Sequence, residues 1–289
     1  MLLKKNRFIF IFLIISISLL AINKYSDLRK PAIHSTAAVL MDASNGEILY
    51  EKDAGISYPV ASMSKLMTMY IVLDLLEDEV IDWSDHVTVS ENANDLIDSA
   101  AKIPVESGTI LTVQDLYYAM AISSANNATI ALAKYISGTE EEFTLLMNEK
   151  ARELGLSEGT NFVNATGLPN AEVENQMSAR DVATLAHNLL TDHPEVLEAV
   201  RLEHYYIESF GIDLYTTNRM LNKHEDEAYV KEVDGLKTGY TDAAGYCFVG
   251  TAMKGDRRLI SVVINAETDE DRFSETKKLL SYGFSPFTF

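Results

Sequence analysis

Three short motifs stand in order along the chain: Ser62-Met63-Ser64-Lys65, Ser124-Ala125-Asn126 and Lys237-Thr238-Gly239. Together they supply a hydroxyl nucleophile, an amine three residues from it, a second cation and several polar groups. An alcohol is a poor nucleophile at neutral pH, so a serine that attacks an amide needs an adjacent base. Residues three apart on a helix share a face, which sets the Lys65 amine beside the Ser62 hydroxyl without help from distant loops. A lysine titrates near ~10.4 in water and must be partly neutral to accept a proton. Burial and the nearby cation of Lys237 would both move Lys65 that way. The expected chemistry is acyl transfer through Ser62.

Each motif has a plainer reading by itself. Ser62 could be a helix cap and Lys65 a solvated first-turn lysine, and Ser124 could equally cap a helix. Lys237 could be an edge-strand lysine that discourages aggregation. Chance supplies decoys in the same chain, since Ser-x-x-Lys recurs at Ser274 to Lys277 and Ser-x-Asn at Ser90 to Asn92. The ordered set is what discriminates. Within it, Ser124 can relay a proton to a leaving amine while the Asn126 amide holds a peptide carbonyl. Lys237 and Thr238 offer a cation and a hydroxyl to a substrate carboxylate. Gly239 leaves room for close backbone approach.

The 289 residues are enough for one large domain or two lobes. Against 43 Asp plus Glu the chain sets 24 Lys plus Arg, a formal charge of -19, which repels phosphate backbones and argues against nucleic acid. Lys4, Lys5 and Arg7 precede an apolar run from Phe8 to Ile22, so residues 1–22 read as an export signal, either cleaved or kept as an anchor. An extracytoplasmic location follows, with membrane contact only through that segment. The single cysteine, Cys247, permits no intrachain disulfide and sits in an apolar run as a small hydrophobe. The six histidines show no His-Glu-x-x-His arrangement, and neither a Gly-x-Ser-x-Gly elbow nor a Gly-Lys-Ser/Thr phosphate loop occurs, so no metal or cofactor is expected.

The elements that must position these groups follow from periodicity. After a linker over 23–35, Thr36 to Asp42 and Glu47 to Glu51 flank the turn Ala43-Ser44-Asn45-Gly46 as a hairpin. Leu66, Met67, Tyr70, Leu73 and Leu76 recur near helical spacing, so Ser62 opens a helix to Leu76. Helical patterns over Val113 to Ile122, Ala128 to Ile136, Glu140 to Leu154 and Ala179 to Leu190 predict an inserted helical subdomain over about 85–200. The chain then predicts strands over Val230 to Leu236, Tyr246 to Met253 and Leu259 to Ala266, and a closing helix from Asp269 to Tyr282. Strands from both ends enclosing a helical middle predict an α+β fold: one antiparallel sheet with helices on its faces, in a domain over 36–289.

With these elements in place the chain resembles the serine D-alanyl-D-alanine carboxypeptidases, the low-molecular-mass penicillin-binding proteins of peptidase family S11. The likeness covers most of Thr36 to Phe287. It extends beyond the triple to Pro59 through Thr68, Phe162-Val163-Asn164-Ala165-Thr166-Gly167-Leu168, Ser178 to Asp181 and Val233 through Thr241. The resemblance implies a β-lactamase/transpeptidase-like fold and a Ser62 acyl-enzyme with Lys65 as base. It implies Ser124, Asn126, Lys237, Thr238 and Gly239 as relay and clamp, and backbone N–H groups of Ser62 and Tyr240 as the oxyanion hole. The implied substrate is a peptidoglycan stem peptide ending in D-Ala-D-Ala, with β-lactam antibiotics as covalent inhibitors. Many relatives continue into a β-rich domain and an amphipathic membrane helix, which this sequence does not contain, leaving residues 1–22 as the candidate tether. Asn127 stands where many relatives carry an acidic residue. Two other readings compete: a class A-like β-lactamase, for which Glu172 and Glu174 lie in the right region but not in a Glu-x-x-Leu-Asn pattern, and a catalytically silent penicillin-binding sensor.

Overall fold

The computed structural model describes residues 30–169, 173–224 and 227–285. The export segment at 1–22, most of the linker and Glu172 lie outside them. In chain order the elements are β1 (Ala37–Asp42), β2 (Glu47–Lys52), β3 (Ser57–Pro59), a 3-10 turn (Ala61–Ser64), α1 (Lys65–Glu77), β4 (His86–Thr88), α2 (Glu91–Asn94), β5 (Ile110–Thr112), α3 (Val113–Ser123), α4 (Asn126–Ser137), α5 (Glu140–Glu153) and β6 (Gln176–Ser178). They continue with α6 (Ala179–Asp192), α7 (Val196–Val200), β7 (His204–Ile207), β8 (Ile212–Tyr215), a second 3-10 turn (Arg219–Leu221), β9 (Val233–Thr241), β10 (Gly245–Lys254), β11 (Arg257–Ala266) and α8 (Asp269–Gly283).

Five strands form the central sheet in the order β2-β1-β11-β10-β9, every pair antiparallel. Successive side chains on a strand point to opposite faces, and here both faces are covered. Val39, Met41, Ile260, Val262 and Ile264 enter a core shared with Met63, Leu66 and Met67. Their neighbours Ala38, Leu40, Leu259 and Val263 meet Phe273, Leu279 and Leu280 of α8 on the other side. The terminal strands therefore read as nearly continuous apolar runs, since each residue has a core to enter.

Within the expected helical stretch, α3, α4 and α5 pack in succession, while α6 lies on β1 and β11 and α7 on β9. The apolar spacing Val182, Leu185, Ala186, Leu189 gives α6 the stripe that a sheet-covering helix needs. Its start is fixed by a capping box: Ser178 Oγ accepts from Asp181 N–H, and the Asp181 carboxylate accepts from Ser178 N–H. Three pairs of short strands, β3 with β6, β4 with β5 and β7 with β8, staple the connections.

Candidate active site

Ser62 does not open the α-helix. It occupies a 3-10 turn closed by Met63 N–H to Val60 C=O (3.1 Å), and α1 starts only at Lys65. The preceding residue, Ala61, has φ of +46°, a left-handed conformation that side-chain-bearing residues seldom adopt. Gly167 explains what holds it. With φ of +80°, Gly167 lies so close that an added Cβ would stand 1.9 Å from the Ala61 carbonyl oxygen and 3.0 Å from Ser62 N. A turn pressed between β9 and this loop raises Ser62 half-buried at the protein surface while its neighbours Ala61 and Met63 are fully covered.

Lys65, on the next turn, is 0% exposed, which removes the solvated-lysine reading. Its Nζ lies 2.9 Å from Ser62 Oγ, 2.8 Å from Asn126 Oδ1 and 2.7 Å from the Thr166 carbonyl. Burial holds the amine well below the ordinary lysine range, the Lys237 charge pushes the same way, and Glu140 opposes them. The partners dictate the geometry of the neutral form. A carbonyl oxygen can only accept, so Asn126 and Thr166 take the two N–H bonds of a neutral amine, and its lone pair faces the Ser62 hydroxyl.

The middle motif does not simply begin a helix. The helix α3 runs through Ser123, Ser124 turns left-handed at φ of +62°, and α4 starts at Asn126. Ser124 thus joins two helices at a buried corner instead of capping one from outside. That corner aims Asn126 at Lys65, and the orientation of its amide is set from the other end, because Asn126 Nδ2 donates to Ala101 C=O at 2.9 Å. Asn127 is fully buried. It accepts from Ile103 N–H (3.0 Å) and donates to Ile103 C=O (2.9 Å) and Asn94 Oδ1 (2.8 Å). A carboxylate could accept but not donate, so an amide suits this loop where an acid would not.

The third motif forms the opposite wall on β9, the sheet edge. The strand starts at Val233 rather than Val230 and runs to Thr241, so Lys237 to Gly239 lie well inside it. In the register with β10, Lys237 pairs with Val249, Thr238 with Phe248 and Gly239 with Cys247. An added Cβ at Gly239 would come within 2.8 Å of Val60 O and 3.2 Å of Met63 N, so the glycine lets the strand edge touch the Ser62 turn. Lys237 is 1% exposed and is no surface gatekeeper. Burial, reinforced by the Arg272 charge behind it, brings Lys237 down to about 7. Tyr240, half exposed, follows on the same edge. The structure therefore brings Ser62, Lys65, Asn126 and the strand of Lys237, Thr238 and Gly239 around one turn.

Four contributors escape sequence reasoning. Thr166 supplies a backbone carbonyl, which no side-chain pattern reveals. Thr217 shares a 2.6 Å hydrogen bond with Thr238 across two separate segments. Arg272, on α8, donates to the Gly239 carbonyl at 3.2 Å through the sheet. Glu140 accepts from Ala165 N–H at 3.0 Å. Of these only Thr166 lies in a stretch that drew attention, Phe162 to Leu168. Glu174 accepts from Thr241 Oγ1 at 2.7 Å, and burial raises Cys247 to about 12, as an inert thiol requires.

A buried lysine bridges a serine and two carbonyls under the edge of an antiparallel sheet, on the fold of the penicillin-binding proteins. Residues 24–268 match the family model Peptidase S11, D-alanyl-D-alanine carboxypeptidase, and the chain belongs to that family. It is 37% identical over 258 residues to D-alanyl-D-alanine carboxypeptidase DacF of Bacillus subtilis, covering 89% of this chain and 64% of that one. It is 37% identical over 262 residues to DacC of Escherichia coli, covering 89% and 63%. The chain thus spans less than two thirds of the length of those curated relatives. Among solved structures, penicillin-binding protein D2 of Listeria monocytogenes in its cefotaxime-bound form superposes with a TM-score of 0.79 at 36% identity, covering 89% of this chain and all of that one. PBP3 of Streptococcus pneumoniae superposes with a TM-score of 0.81 at 38% identity, covering 87% and 72%.

Proposed function

We propose that the chain is a serine DD-carboxypeptidase that removes the terminal D-alanine from peptidoglycan stem peptides. The observation that carries the reading is the Lys65 amine, wholly buried and held 2.9 Å from Ser62 Oγ by two carbonyl acceptors. Neutral Lys65 takes the Ser62 proton as Oγ bonds to the carbonyl carbon of the D-Ala-D-Ala peptide. The oxyanion is received by backbone N–H groups of Ser62 and Tyr240, each such donor being worth roughly 10²–10³ in rate. The C–N bond then breaks, the leaving D-alanine amine takes a proton through Ser124, and a Ser62 ester remains. Water attacks that ester as Lys65 accepts the water's proton, and Lys65 returns it to Ser62 Oγ as the ester C–O bond breaks, which frees the shortened peptide. Asn126 holds the peptide carbonyl, while Lys237 and Thr238 take the terminal carboxylate.

The names of the relatives support this substrate, and the cefotaxime- and ampicillin-bound Listeria structures support β-lactams as covalent inhibitors. Such a substrate places the enzyme outside the cytoplasm, with residues 1–22 as signal or tether. Among the described residues no helix is long and apolar enough to cross a membrane.

Incubation of the purified protein with penicillin tests the reading by mass spectrometry. One adduct per chain is expected, and none in Ser62→Ala. Release of free D-alanine from a peptide ending in D-Ala-D-Ala distinguishes the carboxypeptidase. Rapid hydrolysis of the antibiotic would instead indicate a β-lactamase, and a lasting adduct without peptide turnover a sensor.

A further inference from the structure

One carboxylate outside the three motifs is wired to the base. Glu140 is the first residue of α5, after its cap Thr139, and its Oε1 accepts from the buried Ala165 N–H at 3.0 Å. The Ala165 carbonyl in turn accepts from Thr68 Oγ1 on α1 at 3.0 Å, so Ala165 is pinned from both sides. The next carbonyl along, that of Thr166, is the one 2.7 Å from Lys65 Nζ. Asn164 Oδ1 completes the turn by accepting from Thr166 N–H (3.1 Å) and Gly167 N–H (2.7 Å). The charges that face Lys65 are Lys237 from β9 and Glu140 from α5. Those that face Glu140 are Glu141 beside it, Lys65 from α1 and Lys134 from α4. Burial lifts the Glu140 carboxyl above the usual carboxylate range, and the Ala165 N–H draws it back.

We propose that Glu140 is a positioning residue for the Lys65 base, holding the Thr166 carbonyl on the amine through Ala165 and setting a negative charge against Lys237. The inference rests on Ser62 and Lys65 being the acylating pair. Its two parts separate chemically. Glu140→Gln keeps an oxygen for the Ala165 N–H and removes the charge, so the Lys65 ammonium loses an attractive neighbour and gives up its proton at lower pH. Glu140→Ala removes the acceptor as well and leaves a buried N–H without a partner.

The test is the rate of acylation by a fluorescent penicillin between pH 4.5 and 9 (about the stable range of the reagent), with thermal melts in parallel. In Glu140→Gln the low-pH limb is expected to move down by about 1 pH unit, the effect of losing one opposite charge. In Glu140→Ala the plateau is also expected to fall roughly 10-fold, as for a misplaced catalytic group. A low-pH limb that stays put in Glu140→Gln overturns the electrostatic part, whether or not Glu140→Ala folds. A Glu140→Ala plateau equal to that of Glu140→Gln overturns the positioning part. Wild-type protein that forms no adduct at any pH overturns the acylation reading and this inference with it, a failure visible before either variant is made.

Discussion

The two lysines of the cleft are equally buried and differently housed. Lys65 has three oxygen partners within 2.9 Å, two of them carbonyls that only accept. Lys237 donates to the carbonyl of its own neighbour, Thr238, at 3.0 Å, and has a second cation, Arg272, behind it. The first housing suits an amine that must be aimed; the second suits a charge to be offered to an anion. The Lys237 charge also presses on Lys65 and is among the forces that keep it low. The charge on one wall of the cleft thus acts on the amine of the other.

The largest expected effect comes from denying the first lysine its neutral state. Lys65→Arg keeps a cation that does not deprotonate, and acylation by penicillin should fall by roughly 10⁴-fold, the upper range for loss of a general base. Next comes Gly167→Ala, which forces the loop off the Ala61 carbonyl. Stopped-flow acylation should slow about 100-fold, as for a displaced catalytic group, with a lower melting temperature. Lys237→Met should sharpen the comparison by a sign: acylation falls, and its low-pH limb moves up because Lys65 loses a repelling neighbour, the reverse of Glu140→Gln.

The stability of Lys237→Met carries its own pH signature. Lys237 titrates near about 7 in the folded protein and near ~10.4 in the unfolded chain. Between those values the unfolded state binds more protons, so this residue's contribution becomes more favourable as pH rises and is least favourable below the folded value. Melting scans should therefore find Lys237→Met gaining most over wild type near pH 6 and least near pH 10, values chosen to bracket about that window. The smallest effect is expected from Thr217→Val, which removes one hydroxyl contact to Thr238. At about 1 kcal/mol, KM should rise about 5-fold with kcat little changed.

The sequence made one wall of the cleft more legible than the other. Ser62 and Lys65 are close in the chain, and a single helical turn is enough to pair them. The β1–β2 hairpin, the terminal strands and α8 were readable because apolar runs and turn residues mark them. The three-residue strands β3 to β6 were not, since three residues are too few to display alternation. Lys237 kept an edge-strand alternative because burial of an edge lysine depends on what packs over it, here the Ser62 turn. Thr166 and Ala165 act through backbone groups, which the identity of a side chain does not report. Asn127 was the opposite case, a departure whose meaning became clear once Ile103 was seen to need both an acceptor and a donor.

The strand β1 lies in the interior of the sheet, between β2 and β11, although it comes from the opposite end of the domain. Residues 37–42 therefore have apolar surface on both sides but only one local hydrogen-bonding neighbour until residues 257–266 arrive, more than two hundred positions later. Assembly of this scaffold is bound to be a late, long-range event, governed by the closure of a very large loop rather than by helix formation. A chain that stops short of residues 257–266 would leave β1 with β2 as its single sheet neighbour.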